Sequence, residues 1–255
     1  MKMPMTRLRI QRRQLVSLSV LSLFSITPDL VRAASLTDQA RSAMLAFDGV
    51  YIPVLFLTGS AGKSAEGAGK ATAAMLRARE QWPALRRAME AAVPGQRHWV
   101  QALDAVQHSL QEADALVSKA QWEHSHEALE HVREILYRAR QALGIDYPLD
   151  HFTSFHSAME KVANATTVQR PAIEIDFAAA RASWRRIEGM SFDPAVFRLT
   201  EARAAQLAQA RADESNALSR LSMALRGSSD ADLLKAAAAI KQPFVRAYLA
   251  FGSTP

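Results

Sequence analysis

Residues 97–117 read RHWVQALDAVQHSLQEADALV. At about 100° per residue, Trp99, Leu103, Val106, Leu110, Ala113 and Val117 fall on one stripe, with polar side chains on the opposite face. A helix of this kind buries its stripe only against other helices, so the segment predicts a helical bundle. The same period extends outward and predicts helices over 37–57, 70–92, 97–120, 122–143, 149–164, 172–189, 195–226 and 229–251. The one strand-like run, 50–57, contains Pro53 and has no partner strand, so it reads as a kinked buried helix. Punctuation agrees: Asp193-Pro194 and Ser229-Asp230 open helices, and Gly95, Gly144, Gly189 and Gly227 stand at breaks. The fold class expected is all-α, a bundle of about eight helices in two related four-helix halves.

The halves are suggested by a faint repeat. Arg79-x-x-Trp82-x-x-Leu85 recurs as Arg181-x-x-Trp184-x-x-Ile187, with Met75 and Phe177 each seven residues before the tryptophan. Pseudo-repeats over 36–145 and 146–252 would place one match in each half.

The chain has 255 residues, 31 basic and 25 acidic, and no cysteine. Six of the basic residues (Lys2, Arg7, Arg9, Arg12, Arg13, Arg32) and one acid, Asp29, lie in residues 1–33, leaving 25 against 24 elsewhere. The pI of 9.9 is therefore a property of the N-terminus, and charge gives no argument for nucleic acid as a partner. The lack of cysteine excludes disulfides, thiolate zinc sites, covalent c-type haem and thiol nucleophiles.

Arg12-Arg13 opens a short apolar run, 15–26, interrupted by four serines and followed by Val31-Arg32-Ala33. The run is too short and polar to span a bilayer, which takes about 20 apolar residues. It reads as a signal peptide, residues 1–33, of the twin-arginine type. The expectation is a periplasmic or otherwise exported helical domain over 34–255, with no stable membrane span after cleavage.

Residues 59–70 read GSAGKSAEGAGK, but neither Gly-Lys pair has the glycine five positions earlier that a phosphate-binding loop needs. A flexible interhelical loop is expected there instead. Asn164-Ala165-Thr166 fits a glycosylation acceptor, which a bacterial-type signal makes irrelevant.

All seven histidines lie between positions 98 and 156. On the fourth helix His124, Glu127, His131 and Glu134 share a stripe, while His126 and Glu130 point elsewhere as a surface pair. On the fifth, Phe152, Phe155, His156, Met159 and Ala163 form the apolar face, so His156 points inward beside Glu160. A short turn at 144–148 makes these helices antiparallel. The candidate metal site is therefore His131, Glu134, His156 and Glu160, with Glu127 next in line and His124 further along. Imidazole and carboxylate donors suit copper or zinc, Met159 tilts the choice to copper, and haem is a minor branch. His98 and His108 read as surface residues. Asp48, in an apolar helix, is expected to pair with Lys241 or Arg246.

The function read from these features is an exported binding or scaffold module, with a protein partner in the periplasm or a metal ion as its ligand. A metal- or haem-handling protein is the alternative. An acid–base enzyme fits less well, because no nucleophile elbow, His-Glu-x-x-His helix or paired-carboxylate signature is present. If the twin-arginine reading holds, the Arg12→Lys/Arg13→Lys double variant loses export, measured as unprocessed precursor in the cytoplasm; normal processing of the variant leaves the general secretory route.

Overall fold

A computed structural model describes residues 38–252, and the signal-peptide reading of 1–33 lies outside them. Ten helical segments are found among the described residues: α1 Asp38–Ala61, α2 Ala65–Ala92, α3 Arg97–Val117, α4 Trp122–Ala142, α5 Asp150–Ala163, α6 Arg170–Glu188, the single turn α7 Pro194–Phe197, α8 Glu201–Gly227, α9 Asp230–Ala238 and α10 Lys241–Leu249. The fold is an all-α bundle, as the periodicity predicts.

The helices pack in two rings. In the first, α1 packs on α2, α2 on α3, α3 on α4 and α4 back on α1; in the second, α5, α6, α8 and α10 close in the same way. The rings meet where α1 touches α10 and α4 touches α5. The two matched tryptophan segments lie on α2 and α6, the second helix of each ring. Trp82 packs edge-on against Phe47 of α1, and Trp184 lies tilted against Phe155 of α5.

Local chemistry sets the ends. Ser64 caps α2 by accepting from the Gly67 amide at 3.0 Å, so the helix starts at Ala65 and the expected 59–70 loop shrinks to three residues. Asp193 accepts from the Ala195 amide and Ser229 from the Asp232 amide, as the sequence suggests. Two long segments divide. Arg198, at φ 54°, breaks 195–226 before Thr200 caps α8. Pro243 has no amide hydrogen and its ring conflicts with the carbonyl four residues earlier, so 229–251 breaks at Ala239–Ile240. Helix α1 instead runs through Pro53; a Cβ on Gly252 would stand 2.9 Å from that proline ring, so only glycine lets the chain end pack there.

All six residues of the α3 stripe are buried. Helix α1 is long and apolar enough to cross a membrane by composition, yet 72% of its most apolar window is buried inside the bundle.

The core contains charge. Asp48, 6% exposed, pairs with neither Lys241 nor Arg246, correcting the expectation above. It accepts from the Tyr147 hydroxyl at 2.5 Å, while Lys241 pairs with Glu160 and Arg246 with Asp213. Both expected partners leave through the other faces of their helix. Burial raises the Asp48 carboxyl to about 6, partly offset by Arg140 and the Tyr147 bond. Beside it, Arg140 holds Asp150 with Nη2–Oδ1 at 2.5 Å and Nε–Oδ2 at 2.9 Å, and its guanidinium lies 4.7 Å from the Tyr147 ring centre.

Glu214 on α8 is fully buried, and neither carboxyl oxygen has a hydrogen-bond partner. Burial raises it to about 8, against the weaker pull of the Phe244 backbone and Arg246. The folded protein therefore keeps a proton there that the unfolded chain releases above its usual 4.5, so stability from this group falls as pH rises from about 4.5 to 8. Glu214→Gln is expected to remove that decline and, at pH 9, to be the more stable protein by roughly 2–4 kcal/mol. Urea denaturation of both proteins across this range checks it, and parallel pH profiles would overturn it.

Candidate functional site

Where the two rings meet, residues from α1, α4, α5 and α10 enclose a cavity of about 340 Å³. Its polar wall is Ser60, Lys63, His126, Glu130, His156, Glu160 and Lys241, and its apolar wall is Phe56, Met159, Phe244 and Val245.

The site is built outward from Arg133, buried on α4. One guanidinium nitrogen donates to Glu130, one turn earlier on the same helix, and to His156 Nδ1 at 2.7 Å on α5. Arginine only donates, so Nδ1 must carry the lone pair and the imidazole proton resides on Nε2. That Nε2 stands 3.4 Å from Glu160 Oε1, which lies 3.4 Å from Lys241 Nζ on α10. A continuous chain of polar groups thus runs from α4 through α5 to α10. Burial first, then the Arg133 and Lys241 charges, push His156 down to about 2, so it is neutral throughout the physiological range.

His126 is fixed the other way. Its Nδ1 lies 2.8 Å from the Leu55 carbonyl of α1, so Nδ1 carries the proton and donates. Its Nε2 stands 3.7 Å from Glu130 Oε1. The ring fits there because Gly59 has no side chain: a Cβ would meet it at 3.1 Å. Burial raises Glu130, against the attraction of Arg133 and His126. The cavity wall therefore offers two imidazoles, two carboxylates and two ammonium groups.

The structure does not assemble the candidate metal set. His124, Glu127 and His131 are exposed, and Glu134 pairs with Arg138 at 3.1 Å. Only His156 and Glu160 reach the cavity, and both His156 nitrogens face partners of their own. Among the described residues no three histidine or carboxylate side chains stand together in a metal-holding arrangement. The cause is the extent of the buried face of α4. Its buried residues are Ser125, Ala128, Leu129, Val132, Arg133, Leu136 and Arg140, so the buried face extends past Val132 and Leu136 to take in the two arginines. That face turns His126 and Glu130, read as a surface pair, toward the cavity and the His131 stripe toward solvent. His98 and His108 are exposed, as expected.

Sequence reasoning missed Arg133 and Lys241 as site residues. The signal was present for the first: His126, Glu130 and Arg133 follow i, i+4, i+7 spacing on one face. No protein family, no curated protein and no solved structure matches the chain.

His156 binds no proton until about pH 2 when folded, whereas in the unfolded chain it titrates near 6.5. The unfolded state therefore gains protons first, and stability is lost as pH falls below 6.5, by up to about 1.4 kcal/mol per pH unit. His156→Asn, which retains an acceptor toward Arg133, is expected to flatten this acid limb in urea denaturation. An unchanged limb would place the titrating group elsewhere.

Proposed function

We propose that this chain is an exported binding module whose two related halves, 36–145 and 146–252, hold a small zwitterionic ligand between them. The observation that carries the reading is the junction cavity: four helices from both rings converge on a space that bears charges of both signs beside an apolar wall. Its volume, about 340 Å³, is at the small end of ligand pockets. Lys63, Lys241 and the His156 Nε2–H suit an anionic group. Glu130 and Glu160 suit an ammonium. Phe56, Met159, Phe244 and Val245 suit a short apolar body.

Binding is favoured over catalysis by the state of the wall. The Ser60 hydroxyl bonds carbonyls of its own helix, at 3.4 Å to Phe56 and 3.3 Å to Leu57, and no histidine bonds it. Export, the other half of the reading, is supported by the basic, serine-interrupted N-terminal segment.

Thermal melting with α-amino acids, betaines, simple carboxylates and simple amines tests the site. Zwitterions are expected to raise the melting temperature by roughly 2–4 °C at saturation, and single-charge compounds by much less. Lys241→Gln and Glu130→Gln are each expected to abolish the rise. No shift with any class, or equal shifts in both variants, sinks the reading.

A further inference from the structure

The second ring carries a groove that the junction cavity does not use. Between α6 and α8 lies a trough of about 600 Å³, floored by Phe177 and Leu218 and lined by the small side chains Ala178, Ala182, Ser219 and Ser222. Arg181, Arg185 and Arg226 line it, and no carboxylate does. Arg181 reaches Glu188 at 3.3 Å, whereas Arg185 and Arg226 have no ion-pair partner among the described residues. Two large apolar side chains flank the trough in water: Met223, 56% exposed, on its wall, and Ile175, 71% exposed, in the same row of α6 as Ala178 and Ala182.

The first ring has a groove in the corresponding place, between α2 and α3, and the comparison is informative. There Arg79 pairs with Asp114 at 3.1 Å, and Arg86 with Asp104 at 2.5 Å and with Gln107 at 2.7 Å. Two of that rim's three arginines are thus paired with the chain's own acids, and Arg87 alone of the three has no ion-pair partner among the described residues. At the α6–α8 groove two arginines are left without acids, next to exposed apolar side chains and a wall of small side chains.

We propose that the α6–α8 groove docks an acidic amphipathic helix of a partner protein. The occupant follows from complementarity. Large apolar side chains at i, i+3 or i+4 and i+7 of such a helix would fill the trough between Ile175 and Met223, and carboxylates on its flanks would meet Arg185 and Arg226.

The test is selection from a display library of randomised helical peptides, about 16 residues long, against the full chain. The enriched sequences are expected to carry a clear excess of Asp and Glu around an apolar i, i+3/i+4, i+7 stripe. Arg185→Glu/Arg226→Glu is expected to weaken their binding at least ~10-fold in fluorescence anisotropy. Ala182→Trp, which fills the trough without altering charge, is expected to weaken it as strongly. All three positions are exposed or half-buried on the helix surface, and unchanged circular dichroism and melting temperature confirm folding. No enrichment, enrichment of neutral or basic peptides, or full retention by Ala182→Trp overturns the proposal. A dimer in light scattering that the arginine variant dissolves reassigns the groove to a second copy of the chain, and binding of phosphatidylglycerol vesicles with the same dependence reassigns it to a membrane surface; either overturns it too.

Discussion

The bidentate pair of Arg140 and Asp150 is the constraint that most of the architecture depends on. A buried guanidinium is tolerable only where carboxylate and aromatic partners surround it, and here they come from three places in the chain. Asp150 belongs to the first turn of α5, Tyr147 to the connection between the rings, and Asp48, through Tyr147, to α1. An apolar contact of equal area would hold the rings together at many registers. The pair and its tyrosine hold them at one, because a slip of a residue strands a charge in the core. The direction in which α5 leaves the connection is therefore fixed where the two rings join.

The junction cavity follows from that register. Asp150 held against Arg140 fixes where α5 begins, and His156 follows six residues, about 1.7 turns, along it. Arg133 occupies the equivalent place on α4, two turns before Arg140. The two arginines and their partners thus form successive layers between the rings, the inner one closed and the outer one opening onto the cavity. The outer layer is incompletely paired: Nε and Nη1 of Arg133 are buried without partners. An arginine held partly on His156, instead of wholly on a carboxylate, keeps that imidazole neutral and sets its tautomer.

How legible this was in the sequence differs by level. The stripe of α3 and the caps at Asp193 and Ser229 declare helices, and the two-ring order is at least consistent with the spacing of the tryptophans. The inward direction of His156 is legible too, since Phe152, Phe155 and Met159 surround it in the pattern. The face of α4 is not. Arg133 and Arg140 stand on its buried side, and a residue-type rule assigns arginine to water, which turns the helix the wrong way and carries His124, Glu127 and His131 with it. Lys241 escapes notice for another reason: its neighbour Glu160 is 81 residues away, and only the break imposed by Pro243 aims α10 at the site. Long-range ion pairs have no local signature.

His126 shows how a single backbone feature decides chemistry. Leu55 offers its carbonyl to the Thr58 hydroxyl at 2.8 Å and to His126 at 2.8 Å. Access for the imidazole depends on Gly59, where any side chain would crowd the ring. With Nδ1 held as donor by α1, Nε2 faces Glu130. On the other side of the cavity Arg133 holds His156 Nδ1 as acceptor, which leaves Nε2 as donor beside Glu160. Two histidines that composition cannot tell apart are thus held in opposite ways at Nδ1, which donates in His126 and accepts in His156.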